Sequence, residues 1–334
     1  MGLILGAQRV AAQDAGPAAS AASSGTAIGM PLQAPPEASV ESPTHVTVGV
    51  YLNQIISIDL RANQLTADFW LWFRWRGTAR NPSDTFEIVG GRVNSRANSV
   101  RRTLPDGWEY AAVRLNVTIT RQWDLTRFPF DDHMLEIVVE DAELAEAQFV
   151  FASDAVNTGM DPELSVPGWI VGDSDTHVLT HTYQSNYGDT SIEANAESRY
   201  SRFVFSVHLR RVGIARFFKV FFGLFVATLV AWFAFLFRPK DAASRVGVSI
   251  GSLFAAAASS IAINAQLPDV NGITLADEIV FLCLGAILTG LVLSIISLRL
   301  SDAPDAALAG KVNRVATVAF PVVIVVTMVV LVNL

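Results

Sequence analysis

The chain has 334 residues, 51% of them hydrophobic and only 16% charged, well below the roughly 25% of soluble domains. Its 24 basic and 31 acidic side chains leave a net charge of −7, which gives no footing for nucleic acid. A single cysteine excludes a disulfide framework and a cysteine metal site.

Residues 1–44 are rich in Ala, Ser, Gly and Pro, the composition of a disordered linker. MGLILGAQRVAA (1–12) looks like the tail of a secretory signal that lacks a basic start and a full apolar core, so a signal remnant is expected there. From His45 the period becomes two. Val46, Val48, Val50, Leu52, Ile56, Ile58 and Leu60 share a face, with Gln54 breaking the alternation. DFWLWFRWRG (68–77) is an aromatic-rich strand ended by Gly77. Asn81-Pro82, Gly90-Gly91 and Pro105-Asp106-Gly107 mark turns between short strands. Val113, Leu115, Val117 and Ile119 alternate with polar residues, as do Leu135, Ile137 and Val139 after RFPFDDH (127–133). Further strands are expected near 147–152, 168–181 and 199–209, the last with Phe203, Phe205, Val207 and Leu209 on one face. Short strands punctuated by regular turns predict one all-β, immunoglobulin-like sandwich over 45–211.

After Arg210-Arg211 the period changes. Residues 220–237, 246–267, 279–298 and 315–334 carry no charge, and each run is about the 20 residues that cross a bilayer core as a helix. Four transmembrane helices are predicted within 212–334, at about 214–237, 243–266, 274–299 and 312–334. The loops after the first and third are basic and the loop after the second is acidic, so the sandwich belongs on the extracellular or periplasmic side of an inner membrane. Arg210, Arg211, Arg216 and Lys219 run against that rule. The second helix is built from Gly, Ala and Ser, and one stripe of it reads Gly247, Gly251, Phe254, Ala258, Ile261, Ala265. Two readings stand for it: a pore lining, or a closely packed helix with a small-residue interface.

A sandwich, an arginine pair and four helices with a small-residue second one resemble the pentameric ligand-gated ion channels, the Cys-loop receptor superfamily. FPFDDH (128–133) looks like the family's turn, with Arg121 and Leu135 where its cysteines would fall, as in prokaryotic members without the disulfide. DFWLWFRW (68–75) looks like the second strand, HLRRVGI (208–214) like the entry to the first membrane helix, and RVGVSIGSLF (245–254) with Leu267-Pro268 like the pore helix. The proline usual after the arginine pair is Val212 here. The resemblance covers 45–334 and implies a homopentamer in membrane lipid, opened by a small ligand and passing small ions.

The resemblance implies four groups of site residues. The six-residue stripe would line the pore, with Phe254 as a hydrophobic gate; the alternative packs Phe254 and turns Ile250 or Leu253 to the axis. Asp241, Ser244 and Arg245 stand where selectivity is set: Asp241 argues for cations and Arg245 for anions, with a slight lean to cations. Asp131 or Asp132 would pair with Arg210 or Arg211 and, with Pro268, carry motion from sandwich to helices; headgroup contact is the plainer reading of those arginines. Trp70, Tyr110, Tyr183, Tyr187 and Tyr200 would form an aromatic cage between subunits, with amines, protons or divalent cations as ligands. Trp169 reads as core. His177 and His181 sit four apart, a metal spacing on a helix but not on a strand. Asn116-Val-Thr118 matches a glycosylation pattern without consequence in a bacterium. No nucleophile–base set, phosphate loop or metal cluster is visible, so neither an enzyme nor a cofactor is expected. The competing function is a non-conducting membrane sensor with the same receptor domain.

Overall fold

The computed structural model describes residues 42–77, 81–185, 188, 197–268, 270, 272–301 and 306–333. The expectations for 1–41 and for Tyr187 lie outside them.

Ten strands among the described residues form two sheets. One contains β1 (Thr44–Asp59), β2 (Gln64–Trp75), β4 (Gly91–Thr103), β5 (Glu109–Thr120) and β7 (Phe149–Ser153) in the order β4-β5-β2-β1-β7, with β8 (Gly159–Met160) beside β1. The other runs β3 (Phe86–Ile88), β6 (Asp132–Asp141), β10 (Glu197–Arg211), β9 (Trp169–Gln184). A single turn of helix, α1 (Pro82–Thr85), precedes β3, capped by the Asn81 side chain on the Ser83 N–H. Alternation decides the core. Phe69, Leu71, Phe73 and Trp75 of β2 are fully buried against Phe203, Phe205, Val207 and Leu209 of β10 and Leu135, Ile137 and Val139 of β6. Each such side chain contributes about 1.5–3 kcal/mol of apolar burial.

β1 departs from the alternation predicted for it. Register shifts at Leu52/Gln54 and Ile55/Ser57 each insert one residue opposite β2. A bulge reverses the facing of everything beyond it. Ile55 is therefore buried and Ile56 exposed, the reverse of the expected order. Between 91 and 103 the structure has one long edge strand, β4, where short strands were expected. It is exposed along nearly its whole length, carries Arg92, Arg96, Arg101 and Arg102, and is bent between Ala97 and Val100, where Asn98 takes φ 50°. Charge and bulges of this kind keep an open edge from pairing with another strand.

Among the described residues four helices are long and apolar enough to cross a membrane: α2 (Gly213–Phe233), continued by a 3-10 turn (Ala234–Leu236), then α3 (Ala242–Asn264), α4 (Leu275–Ser301) and α5 (Ala306–Asn333). The last begins earlier than about residue 312, the start expected from the uncharged run. Thr274 opens α4 with a reciprocal cap: its hydroxyl accepts from the Asp277 N–H, and Asp277 accepts from the Thr274 N–H. Pro321 lies inside α5 and has no N–H for the Thr317 carbonyl one turn back. The Trp232 indole of α2 donates to that carbonyl instead, at 2.8 Å. The proline thus frees an acceptor that ties α5 to α2.

Candidate functional site

Three regions hold the predicted site residues, and the junction between sandwich and helices is the most fully built. β10 ends on Arg211, directly before α2, and the 121–131 loop before β6 brings Asp131 against it. The guanidinium takes the carboxylate with both prongs, Nε to Oδ1 at 2.7 Å and Nη2 to Oδ2 at 2.9 Å. It lies over the Trp169 ring at 4.1 Å and the Phe128 ring at 5.2 Å. His133 Nε2 completes the group, 2.7 Å from Asp131 Oδ2. All three charged or titratable side chains are buried. Burial pushes the Asp131 carboxyl up, but the hydrogen bonds from His133 and Arg211 and the guanidinium charge outweigh it, and the carboxyl titrates below its ordinary value. Trp169, expected as core, is partly buried and forms the platform under Arg211.

Of the four residues expected to pair, the structure joins Asp131 to Arg211 and leaves the other two apart. Asp132 and Arg210 are register partners, yet Arg210 is exposed and Asp132 lies 3.4 Å from His208. Val212 donates its N–H to the Gly168 carbonyl at 3.0 Å, a bond that proline at this position would lose. Further contacts stitch the two domains together. The Leu275 N–H at the start of α4 donates to the Thr126 carbonyl at 2.8 Å, and Arg127 donates to the Val332 carbonyl at the end of α5. Phe130 packs on Phe217, with ring centroids 5.4 Å apart. Pro268 lines a cavity of about 260 Å³ with Asn63, Trp123, Thr126 and Thr274, between the sandwich loops and the α3–α4 loop.

α3 is two-sided. Gly247, Gly251, Phe254, Ala258, Ile261 and Ala265 are all exposed on the protomer, Phe254 at 73% and Ile261 at 72%. The opposite face, with Arg245, Ser249, Ser252, Ala256 and Ile263, is buried. Leu253 is only partly exposed and Ile250 is at 42%, so Phe254 is the dominant bulk on the open side. Asp241 caps the helix, accepting from the Ser244 N–H, and remains exposed. Arg245 departs from its expected place at a pore mouth. It is 1% exposed and turned into its own protomer, where Nη2 donates to Asn313 Oδ1 at 2.8 Å and the guanidinium lies 5.6 Å from the Phe235 ring. The helical period explains this: Arg245 is two residues before Gly247, on the far side of α3 from the open stripe.

The predicted aromatic cage divides into two groups. Trp70 and Tyr110 lie on the outer face of the larger sheet, where with Tyr51, Trp72 and Arg102 they line a groove of about 410 Å³. Tyr183 and Tyr200 lie on β9 and β10 of the other sheet, with ring centroids 5.7 Å apart and His181 against Tyr183 at 4.5 Å. The Tyr183 hydroxyl donates to buried Glu140 at 2.8 Å, and Arg202 binds the other carboxylate oxygen. Burial, then the Glu140 hydrogen bond, pushes the Tyr183 phenol up to about 12. His181 and Tyr200 face each other across the β9–β10 pair. Among the described residues no group of three or more His, Cys, Asp or Glu is placed to hold a metal. Sequence reasoning missed His133, Asn313 and Arg102. His133 follows two acids and Asn313 adjoins Arg314, so nothing in the local pattern singles either out, and Arg102 was hidden by reading β4 as short pieces.

No family model matches the chain. It is similar to a proton-gated ion channel of Gloeobacter violaceus, 22% identical over 314 residues, which cover 88% of this chain and 84% of that one. It is also similar to the gamma-aminobutyric acid receptor subunit epsilon of Rattus norvegicus, 23% identical over 273 residues, 73% of this chain and 51% of the rat subunit. The chain is thus similar to a gated ion channel and to a receptor subunit. The order of its elements agrees: an extracellular-type sandwich, then four membrane-crossing helices. It is a multi-pass membrane protein.

Proposed function

We propose that five copies of this chain form a channel whose axial pore is lined by the open face of α3. The observation that carries this reading is the two-sidedness of α3. A helix inside a four-helix unit leaves a continuous stripe of small residues, Phe254 and Ile261 uncovered, while its opposite face is packed. A stripe of that kind suits a wet axis better than lipid. Rings of Phe254 would close the path by dewetting, and rings of Asp241 would stand at its cytoplasmic mouth. With Arg245 turned inward, the charge nearest the start of the stripe is acidic, which favours cations. Ligand binding on the outer sandwich, between the Trp70–Tyr110 face of one copy and the Tyr183–Tyr200 face of the next, would move the junction held by Asp131 and Arg211.

The test is current through the purified protein in a planar bilayer under a salt gradient, with the pH stepped on the sandwich side. Reversal near the cation potential is expected, and Asp241→Asn should move it toward zero. Reversal near the anion potential would overturn the role of Asp241. Silence from a particle that is not pentameric would overturn the channel reading itself.

A further inference from the structure

The cavity between the sandwich and the α3–α4 loop has a single charged side chain in its wall. Of the residues that line its volume of about 260 Å³, only Asp124 is ionisable. Its Oδ1 accepts from the Thr126 N–H at 3.0 Å and from the Thr126 hydroxyl at 2.6 Å. Those bonds, the hydroxyl first, hold the carboxyl below its ordinary value, so it is an anion at neutral pH. Both fall on one oxygen, and among the described residues Asp124 forms no salt bridge. The cations nearest to it in sequence are committed elsewhere. Arg121 holds Glu136 at 2.8 Å, and Arg127 donates to the Val332 carbonyl. Asn63 and Gln122 bring two side-chain amides to the same wall. Trp123 adds an apolar surface, and its ring meets His133 edge-on at 5.0 Å, next to the Asp131–Arg211 pair.

From this we infer that the junction cavity takes a small primary ammonium ion, held by Asp124 with the side-chain carbonyls of Asn63 and Gln122. An ammonium has three N–H donors and no acceptor, and the wall offers it three acceptor groups. The bond to the carboxylate is charge-assisted, about twice as strong as a neutral one. A short alkyl tail suits the apolar surface of Trp123 and Leu125. One carboxylate is too few for a divalent metal, which the grouping of His, Cys, Asp and Glu among the described residues also fails to support. A ligand seated there touches both domains. Asn63 and 122–126 belong to the sandwich, while Pro268 and Thr274 flank the α3–α4 loop, and the Leu275 N–H already donates to the Thr126 carbonyl at this wall. The position is separate from the ligand face on the outer sandwich and does not depend on that reading or on conduction. A free amine and the ethanolamine headgroup of a lipid share the chemistry that the wall selects.

The experiment is protection of a reporter thiol in the full-length protein in detergent. Ile273 lines the cavity, is exposed and is not among the ligand groups, so Ile273→Cys is labelled with a neutral maleimide at neutral pH. The native Cys283 is buried, and its background rate is measured in the wild type. Propylamine, propanol and propionate are three probes of one size and different charge. Propylamine should slow the labelling at millimolar concentration, propanol far less, and propionate not at all. Asp124→Asn should raise the propylamine concentration for half protection about 10- to 150-fold, the value of a hydrogen bond to a charged group. Asp124→Glu should recover part of the loss, and Trp70→Ala should change nothing. If Asp124→Asn does not fold, Gln122→Leu on the exposed wall should still weaken protection about 10-fold. Equal protection by the three probes, protection by propionate, or none at millimolar concentration would overturn the inference. So would Asp124→Asn protecting as well as its parent. Nanodiscs of phosphatidylcholine, with and without phosphatidylethanolamine, then give the source. Protection by phosphatidylethanolamine alone assigns the site to a headgroup, and protection only by added propylamine assigns it to a free amine.

Discussion

Two buried arginines stand near opposite ends of the membrane helices, and the fold treats them differently. Arg211, where the sandwich meets α2, has a bidentate carboxylate, an aromatic platform and a histidine behind its partner. Arg245, in the first turn of α3, has one side-chain amide, and its Nε and Nη1 are buried without a hydrogen-bond partner. A buried ion pair stabilises little in total, but removing one partner leaves the other charge stranded. The junction is therefore a place where either side chain can be lost only at great expense. Arg245 has no charged partner to strand. The difference separates a contact that locks two domains from one that fills space inside a single domain.

The largest effect should come from Arg211→Gln. It leaves the Asp131 carboxylate buried without its bidentate partner, and a cost of about 3–5 kcal/mol is expected. Chemical denaturation of the sandwich, followed by tryptophan fluorescence, measures it. The pH dependence of the wild type sharpens the same point. Because the folded Asp131 titrates below its ordinary value, its stabilising contribution is complete above the unfolded carboxylate pKa of about 3.9. It is lost only as pH falls through the lower, folded value. Stability contributed by this pair should thus be flat from neutrality down to about pH 4 and fall only below it. A decline near pH 6 that disappears in Asp131→Asn would contradict that assignment.

Packing at glycines repeats the contrast. A Cβ on Gly213, the first residue of α2, would stand 2.6 Å from Cδ1 of Phe130, whose ring is itself held against Phe217. At Gly251, on the open face of α3, a Cβ meets nothing within 4 Å. Gly213→Ala should destabilise by about 1–3 kcal/mol through overpacking. Gly251→Ala should stabilise α3 by about 0.5–1 kcal/mol, since glycine is a poor helix former. Thermal unfolding of the two variants side by side checks both signs. Equal shifts would mean that the junction is as loosely packed as the stripe.

How much of this was legible in the sequence follows the range of each interaction. Short-period patterns report one element at a time. The alternation in 68–75 and 203–209 therefore led to both sheets, and the uncharged runs led to four spans. What the pattern omits is anything that depends on a second element. Bulges in β1 exchange Ile55 for Ile56, because pairing with β2 decides where the extra residue goes. Arg245 read as a charge at a pore mouth, because only Asn313, far along the chain, and Phe235, in the turn that ends the preceding helix, show which way it turns. The aromatic residues suggested a cage for cations. The arginine that lies over one of them, Tyr110, comes from β4, and only the folded sheet brings the two together.

The smallest loss of stability is expected at Arg245. Arg245→Met keeps a long flexible stem over Phe235 and removes a guanidinium that satisfies only part of its own hydrogen-bonding capacity. Asn313 loses one donor but keeps its own bond to the Phe235 carbonyl at 2.9 Å. Replacement of incompletely partnered buried charge by an apolar side chain of similar volume is often neutral or favourable, so stability should stay within about 1.5 kcal/mol of the wild type. The same substitution at Arg211 should behave like its glutamine variant, because a carboxylate waits for that cation and none waits for Arg245. If Arg245→Met proves as damaging as Arg211→Gln, then Arg245 has an acidic or hydrogen-bonding partner in the assembled protein. The two ends of the membrane domain would then be held by the same kind of contact.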